Sequence, residues 1–234
     1  MKKKEILIAS IIGVISIILF VVIALIVFLH NGDVQFDNSV RDSIYSMRGN
    51  KGGFIYFLFR FITEFGYLYV CIALGIVGIF FTGVDRGIIL YVFGFLLQAT
   101  LNVVFKSAFD RQRPNVELQW MTDKESSFPS GHSASVTFAY LYIAYYMFKT
   151  NRQKWLKYSC LGFAIIIIPL VILSRLILGM HYFTDTMAGM SVGLFSLSIT
   201  VLVYLLFERY DLFTKPLFNF KSLFFKKNEK ATNN

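Results

Sequence analysis

Three short stretches hold the residue types that could handle a highly charged anion. Lys106, Arg113 and Pro114 lie within one nine-residue run. Pro129, Ser130, Gly131 and His132 are consecutive, and Ser174, Arg175, Gly179, His181 and Asp185 fall within twelve residues. Ser130 to His132 stand where the apolar pattern starts a helix. The first N–H groups of a helix lack internal partners and carry the positive end of its dipole, so a hydroxyl and a glycine there suit a phosphate. The same residues also fit an ordinary N-cap. His181 and Asp185 are four apart, hence on one helical face. A carboxylate so placed can accept a hydrogen bond from one ring nitrogen, fix the tautomer and leave the other nitrogen to attack; an incidental pair is the plainer alternative. Arg175 follows an apolar run, where a cation either has a partner and a duty or snorkels to the interface. The chain has three histidines and two cysteines, Cys71 and Cys160. None is at metal-ligand spacing, so no zinc centre, no other metal and no cofactor is expected. Lys106, Arg113 and Arg175 beside a helix N-terminus and two histidines make a pocket for phosphate.

These groups need elements to position them, and the composition says which. Of 234 residues, 56% are hydrophobic and only 16% charged, with a mean hydropathy of +0.61. The apolar residues come in long runs, which predicts a polytopic membrane protein rather than a soluble domain. Six segments can span, roughly 6–29, 54–81, 87–105, 131–148, 155–173 and 186–207. The first follows a basic start but exceeds the length of a signal core, so it is expected to be a retained span. In the second, Arg60 and Glu64 are expected at headgroup depth. Between the first two spans, residues 33–48 carry Phe36, Val40, Ile44 and Met47 at helical spacing, with Asp37, Arg41 and Asp42 on other faces. That predicts a short amphipathic helix on the bilayer surface. The fold class is therefore all-α, a six-transmembrane-helix bundle in one domain covering 1–234. With the N-terminus inside, the whole formal charge of +9 falls on the inner segments, including a basic tail from about 208 to 234, and the outer segments sum to zero. The positive-inside rule supports that orientation, and it puts all three reactive stretches outside. The basic tail, with a surface-seeking segment at 217–227, suits anionic lipid rather than nucleic acid. Trp120 reads as an interface anchor. The loop acids Glu117, Asp123 and Glu125 read as solvating residues, and the cysteines as helix packing.

The three stretches together resemble the signature motifs of the type 2 phosphatidic acid phosphatase superfamily. Lys106 to Pro114 fits K-x6-R-P, Pro129 to His132 fits P-S-G-H, and Ser174 to Asp185 fits S-R-x5-H-x3-D, in the family's order. Ile62, Thr63 and Gly66 look like the Ile-Thr-x-x-Gly stretch of bacterial members. The resemblance implies a metal-independent phosphatase acting through a phosphohistidine. It implies His181 as nucleophile, Asp185 as its orienting group and His132 as general acid. Lys106, Arg113, Ser130, Gly131 and Arg175 would hold the phosphoryl oxygens. The implied partner is a membrane lipid at the outer face of the cell membrane. Undecaprenyl diphosphate is the leading expectation, and phosphatidylglycerophosphate and phosphatidic acid are its competitors. A lipid phosphotransferase would show the same site. A non-catalytic anion transporter is the reading from another class, but inverted repeats and broken midplane helices are not evident in the sequence.

Overall fold

The computed structural model describes residues 2–82, 84–114, 119–122, 125–150 and 152–212. Glu117, Asp123 and the tail segment 217–227 lie outside the described residues. Eight α-helices are described: α1 (Lys2–Leu29), α2 (Gln35–Met47), α3 (Phe54–Thr63), α4 (Leu68–Thr82), α5 (Arg86–Phe109), α6 (Gly131–Lys149), α7 (Lys154–Ile177) and α8 (Phe183–Arg209). A 3-10 turn, Glu64–Gly66, joins α3 to α4. α1, α5, α7 and α8 are long and apolar enough to cross a membrane, and the bent α3–α4 pair adds a fifth candidate. The chain is a multi-pass membrane protein.

Two expected spans differ from the sequence pattern, each for a physical reason. Residues 131–148 form α6, but α6 is not among those candidates. Ser133, Ser135, Thr137, Tyr142 and Tyr146 along it are all buried. A helix enclosed by its neighbours needs no lipid-matching exterior. Residues 54–81 are not one straight helix; the path bends by 52° between Phe54–Gly66 and Leu68–Ile79. Arg60 and Glu64 pair at 2.8 Å just before the bend. Gly66 lets the bend sit against the bundle, because a Cβ there would lie 2.8 Å from Val171 Cγ1 and 3.1 Å from His132 Cβ.

Two residues read as surface groups are inside. Asp37 of α2 is 1% exposed, whereas Phe36 and Met47 on the expected apolar face are exposed. Asp37 is drawn inward by the Arg111 guanidinium, 2.8 Å away. Trp120 is buried within the protein. It packs edge-on to Tyr56 and under the Arg48 guanidinium, and its backbone N–H donates to the Leu178 carbonyl at 2.9 Å. That bond ties the long α5–α6 loop to the α7–α8 link. Cys71 is buried and Cys160 half-buried, both as free thiols.

The bundle is built around α6 and α8. A Cβ at Gly189 would lie 2.2 Å from the Ser130 carbonyl oxygen, and one at Gly193 would lie 2.6 Å from that of Ala134. These two glycines, one turn apart, let the backbones approach to a distance no side chain would permit. The approach carries the start of α6 onto the start of α8, where Ser130 and Asp185 meet. α1 closes the other side of α8, with Ser198 Oγ donating to the Ala9 carbonyl at 2.6 Å. Gly189→Ala is therefore expected to cost about 1–3 kcal/mol through overpacking and to lower the thermal unfolding midpoint in detergent. Gly162→Ala, where nothing lies within 4 Å, leaves that midpoint unchanged. Equal midpoints for the two variants would refute the close-packing account.

Candidate active site

Ser130 caps α6. It is fully buried, its Oγ accepts from the Ser133 N–H at 3.4 Å, and its own N–H donates to the Asp185 carbonyl at 2.9 Å. Gly131 follows at the first helical position, and His132 stands in the first turn with its ring edge-on to Tyr67 at 4.4 Å.

His181 lies in the link between α7 and α8, 4% exposed. Its Nδ1 is 2.9 Å from the Ser127 carbonyl oxygen. A carbonyl can only accept, so Nδ1 bears the proton and Nε2 keeps its lone pair. Nε2 faces the Arg113 guanidinium at 3.4 Å. Burial holds the His181 imidazole well below its ordinary range, and Arg113, Arg175 and Lys106 push it the same way.

The direct imidazole–carboxylate bond expected from the four-residue spacing is not formed. Asp185 Oδ2 is 3.7 Å from His181 Nδ1, too far for a hydrogen bond. That oxygen instead accepts from Ser127 Oγ at 2.5 Å and from the Tyr182 N–H at 2.8 Å. Asp185 thus reaches the imidazole through Ser127, whose hydroxyl it holds and whose carbonyl fixes the ring. The other oxygen, Oδ1, is 2.6 Å from Arg111 Nη1. Arg111 Nη2 pairs with Asp37 Oδ2 at 2.8 Å and also donates to the Gly32 carbonyl. Asp37 in turn accepts from the N–H and the hydroxyl of Thr184. Both carboxylates are fully enclosed, and the guanidinium side chain is 2% exposed.

The expected phosphate-binding residues divide into two sets. Lys106, Arg113, Gly131, His132 and His181 line one cavity of about 310 Å³. Its wall is completed by the α3–α4 bend at Gly66 and Tyr67 and by Gln98, Asn102 and Ser135. Lys106 pairs with Glu125 at 3.0 Å and donates to the Ser126 carbonyl, and Arg113 donates to the Glu125 and Met180 carbonyls. Ser130, Arg175 and Asp185 stand behind that lining. Arg175 is 1% exposed and donates to Thr63 Oγ1 at 2.9 Å. Asp37, Arg111, Ser127 and Thr63 were not singled out as site residues by their types and spacing. Thr63 and Arg111 lie inside stretches already marked for their resemblance. Asp37 carries no local signal.

The chain is 36% identical over 114 residues to phosphatidylglycerophosphatase B of Bacillus subtilis, covering 47% of this chain and 53% of that protein. It is 28% identical over 103 residues to decaprenylphosphoryl-5-phosphoribose phosphatase of Mycobacterium tuberculosis, covering 43% and 51%. The chain thus spans about half the length of the curated relatives it matches. Its fold is similar to that of the crystal structure of a transmembrane PAP2 type phosphatidylglycerolphosphate phosphatase from Bacillus subtilis. The TM-score is 0.69 at 24% identity, over 88% of this chain and 98% of that one. Residues 87–209, more than half of the chain and including all three motif stretches, match the PAP2 superfamily, to which this membrane protein belongs.

Proposed function

We propose that this protein is a membrane lipid phosphatase that works through a phosphohistidine on His181. The observation that carries this reading is the His181 tautomer. With the proton held on Nδ1 by the Ser127 carbonyl, the Nε2 lone pair faces a cavity that also holds Lys106 and His132, and it accepts from Arg113 Nη1 at 3.4 Å, a donor that an incoming phosphoryl oxygen would take over. Phosphoryl transfer asks mainly for positioning and for positive charge around three equatorial oxygens. In the first step Nε2 bonds to phosphorus, the ester P–O bond breaks, and His132 gives a proton to the departing oxygen. In the second, water deprotonated by His132 attacks phosphorus, and the P–N bond breaks to release phosphate. Lys106, Arg113 and the start of α6 at Gly131 stabilise the oxygens, with Arg175 adding positive potential and Ser130 capping the helix from behind the lining. Asp185, through Ser127, is a positioning residue.

The substrate proposed is a lipid phosphate monoester, with phosphatidylglycerophosphate ahead of the undecaprenyl diphosphate expected from sequence. The names of both relatives describe a phosphate on a hydroxylated carrier, glycerol in one and ribose in the other. We place α6 as the fourth of six spans, both termini in the cytoplasm and the cavity at the outer face of the cell membrane; the charge distribution supports this. The headgroup would enter where α4 and α5 together bound the cavity.

Purified protein is expected to release phosphate from phosphatidylglycerophosphate in the presence of chelator. His181→Ala abolishes turnover, and His132→Ala lowers kcat by about 10²–10⁴-fold. Full activity in His181→Ala, or its loss on metal removal, would falsify the mechanism. The pH profile tests the cation cradle. His181 lies below its ordinary value of 6.5, so its neutral form persists into acid and the acid limb of kcat/KM falls below pH 6.5. Arg113→Gln removes a cation that holds the imidazole down, which raises its pKa and moves that limb to higher pH. An unmoved limb would show that Arg113 does not act on His181. Asp37→Ala leaves Arg111 with one of its two buried carboxylates and is expected to destabilise the protein by about 3–5 kcal/mol. Denaturation in detergent measures this, and wild-type stability would remove Asp37 from the site's framework.

A further inference from the structure

The cavity continues past the phosphate-binding groups along one face of α5. Lys106, Asn102 and Gln98 are spaced four residues apart, so they form a stripe on one side of the helix. All three line the cavity. Gln98 lies two turns inward from Lys106, roughly 12 Å along the helix axis, within a helix apolar enough to span a membrane. It is 2% exposed, and its Nε2 donates to Ser135 Oγ at 3.0 Å. Its Oε1 is enclosed and has no hydrogen-bond partner among the described residues. Ser135, on α6 one turn below Gly131, lines the same cavity and is 7% exposed. A half-satisfied amide in a buried membrane helix is unfavourable unless something else completes it. Asn102, between Gln98 and Lys106, donates to the Pro129 carbonyl at 3.4 Å.

We infer that Gln98 and Ser135 form a subsite for a hydroxyl group on the lipid headgroup, next to the phosphate ester that is cleaved. A hydroxyl both donates and accepts, so it completes Gln98 whichever way the amide is turned. Gln98 and Ser135 sit one to two turns inward of Lys106 and Gly131, a distance that suits a short polyol between the phosphate and the lipid tail. A glycerol or sugar phosphate lipid supplies such a hydroxyl. Phosphatidic acid offers the same phosphate monoester with no free hydroxyl beside it. This inference rests on the phosphatase reading and adds selection to it.

The test compares kcat/KM for phosphatidylglycerophosphate and phosphatidic acid within single preparations of full-length protein, wild type and Gln98→Leu. The expected result is a loss of roughly tenfold for phosphatidylglycerophosphate, with phosphatidic acid changed by less than about twofold. The ratio is the readout because partial misfolding lowers both lipids alike. Gln98→Asn keeps an amide but withdraws it by one methylene, and it moves the ratio the same way if the leucine variant does not fold. If both lipids fall equally, or neither changes, Gln98 holds only water or packs the helices, and the subsite is overturned while the phosphatase reading stands. If wild-type protein hydrolyses neither lipid, the phosphatase reading falls and takes the subsite with it.

Discussion

A single buried guanidinium holds the reactive region together. Arg111 bridges Asp37 of α2 and Asp185 of α8 and also bonds the backbone at Gly32, just beyond α1. Charges are costly to remove from water and stay buried only when every lone pair and proton finds a partner. Here Thr184, Ser127 and the Tyr182 N–H complete both carboxylates. The network fixes four distant pieces of chain relative to one another, and each side chain that could touch a phosphate hangs from one of them. An all-apolar replacement could match its stability, but it could not set the direction of Ser127 and therefore of His181.

That arrangement also explains how an imidazole can lie among three cations without a carboxylate bonded to it. A carboxylate bonded directly to Nδ1 would favour the protonated ring. At 3.7 Å, with its hydrogen bonds given to Ser127, Tyr182 and Arg111, Asp185 does this less. The neutral Ser127 carbonyl sets the tautomer instead. Burial and the surrounding cations then hold the ring below its ordinary range, so positive charge can be concentrated around the cavity beside a neutral imidazole.

The groups that line the cavity or stand just behind its lining were legible because each belongs to a local pattern. A helix start marks Ser130 and Gly131, a four-residue interval joins His181 to Asp185, and cations at the ends of apolar runs mark Lys106 and Arg175. The multi-pass, all-helical character was legible from long apolar runs. The framework behind the site was not. Asp37 and Arg111 are 74 positions apart, and an aspartate in a polar helix looks solvated until its partner is known. The i,i+4 rule placed Asp185 beside His181 but could not foresee that Ser127 would come between them. The apolar run at 131–148 marked a span, yet α6 is less apolar than the helices long and apolar enough to cross, because its buried polar residues pack against neighbouring helices. The bend at Gly66 depends on how closely His132 and Val171 approach, which no window average records.

The Arg111 bridge has a consequence for how the protein comes into being. Its acceptors lie before it, at Gly32 and Asp37, and after it, at Thr184 and Asp185 of α8, so synthesis supplies Gly32 and Asp37 first, then Arg111, and Asp185 only when α8 begins to emerge. His181 is made just before it. The Arg111 bridge, and with it the setting of Ser127 and His181, is therefore completed only after α8 has been made and has joined the helices that precede it.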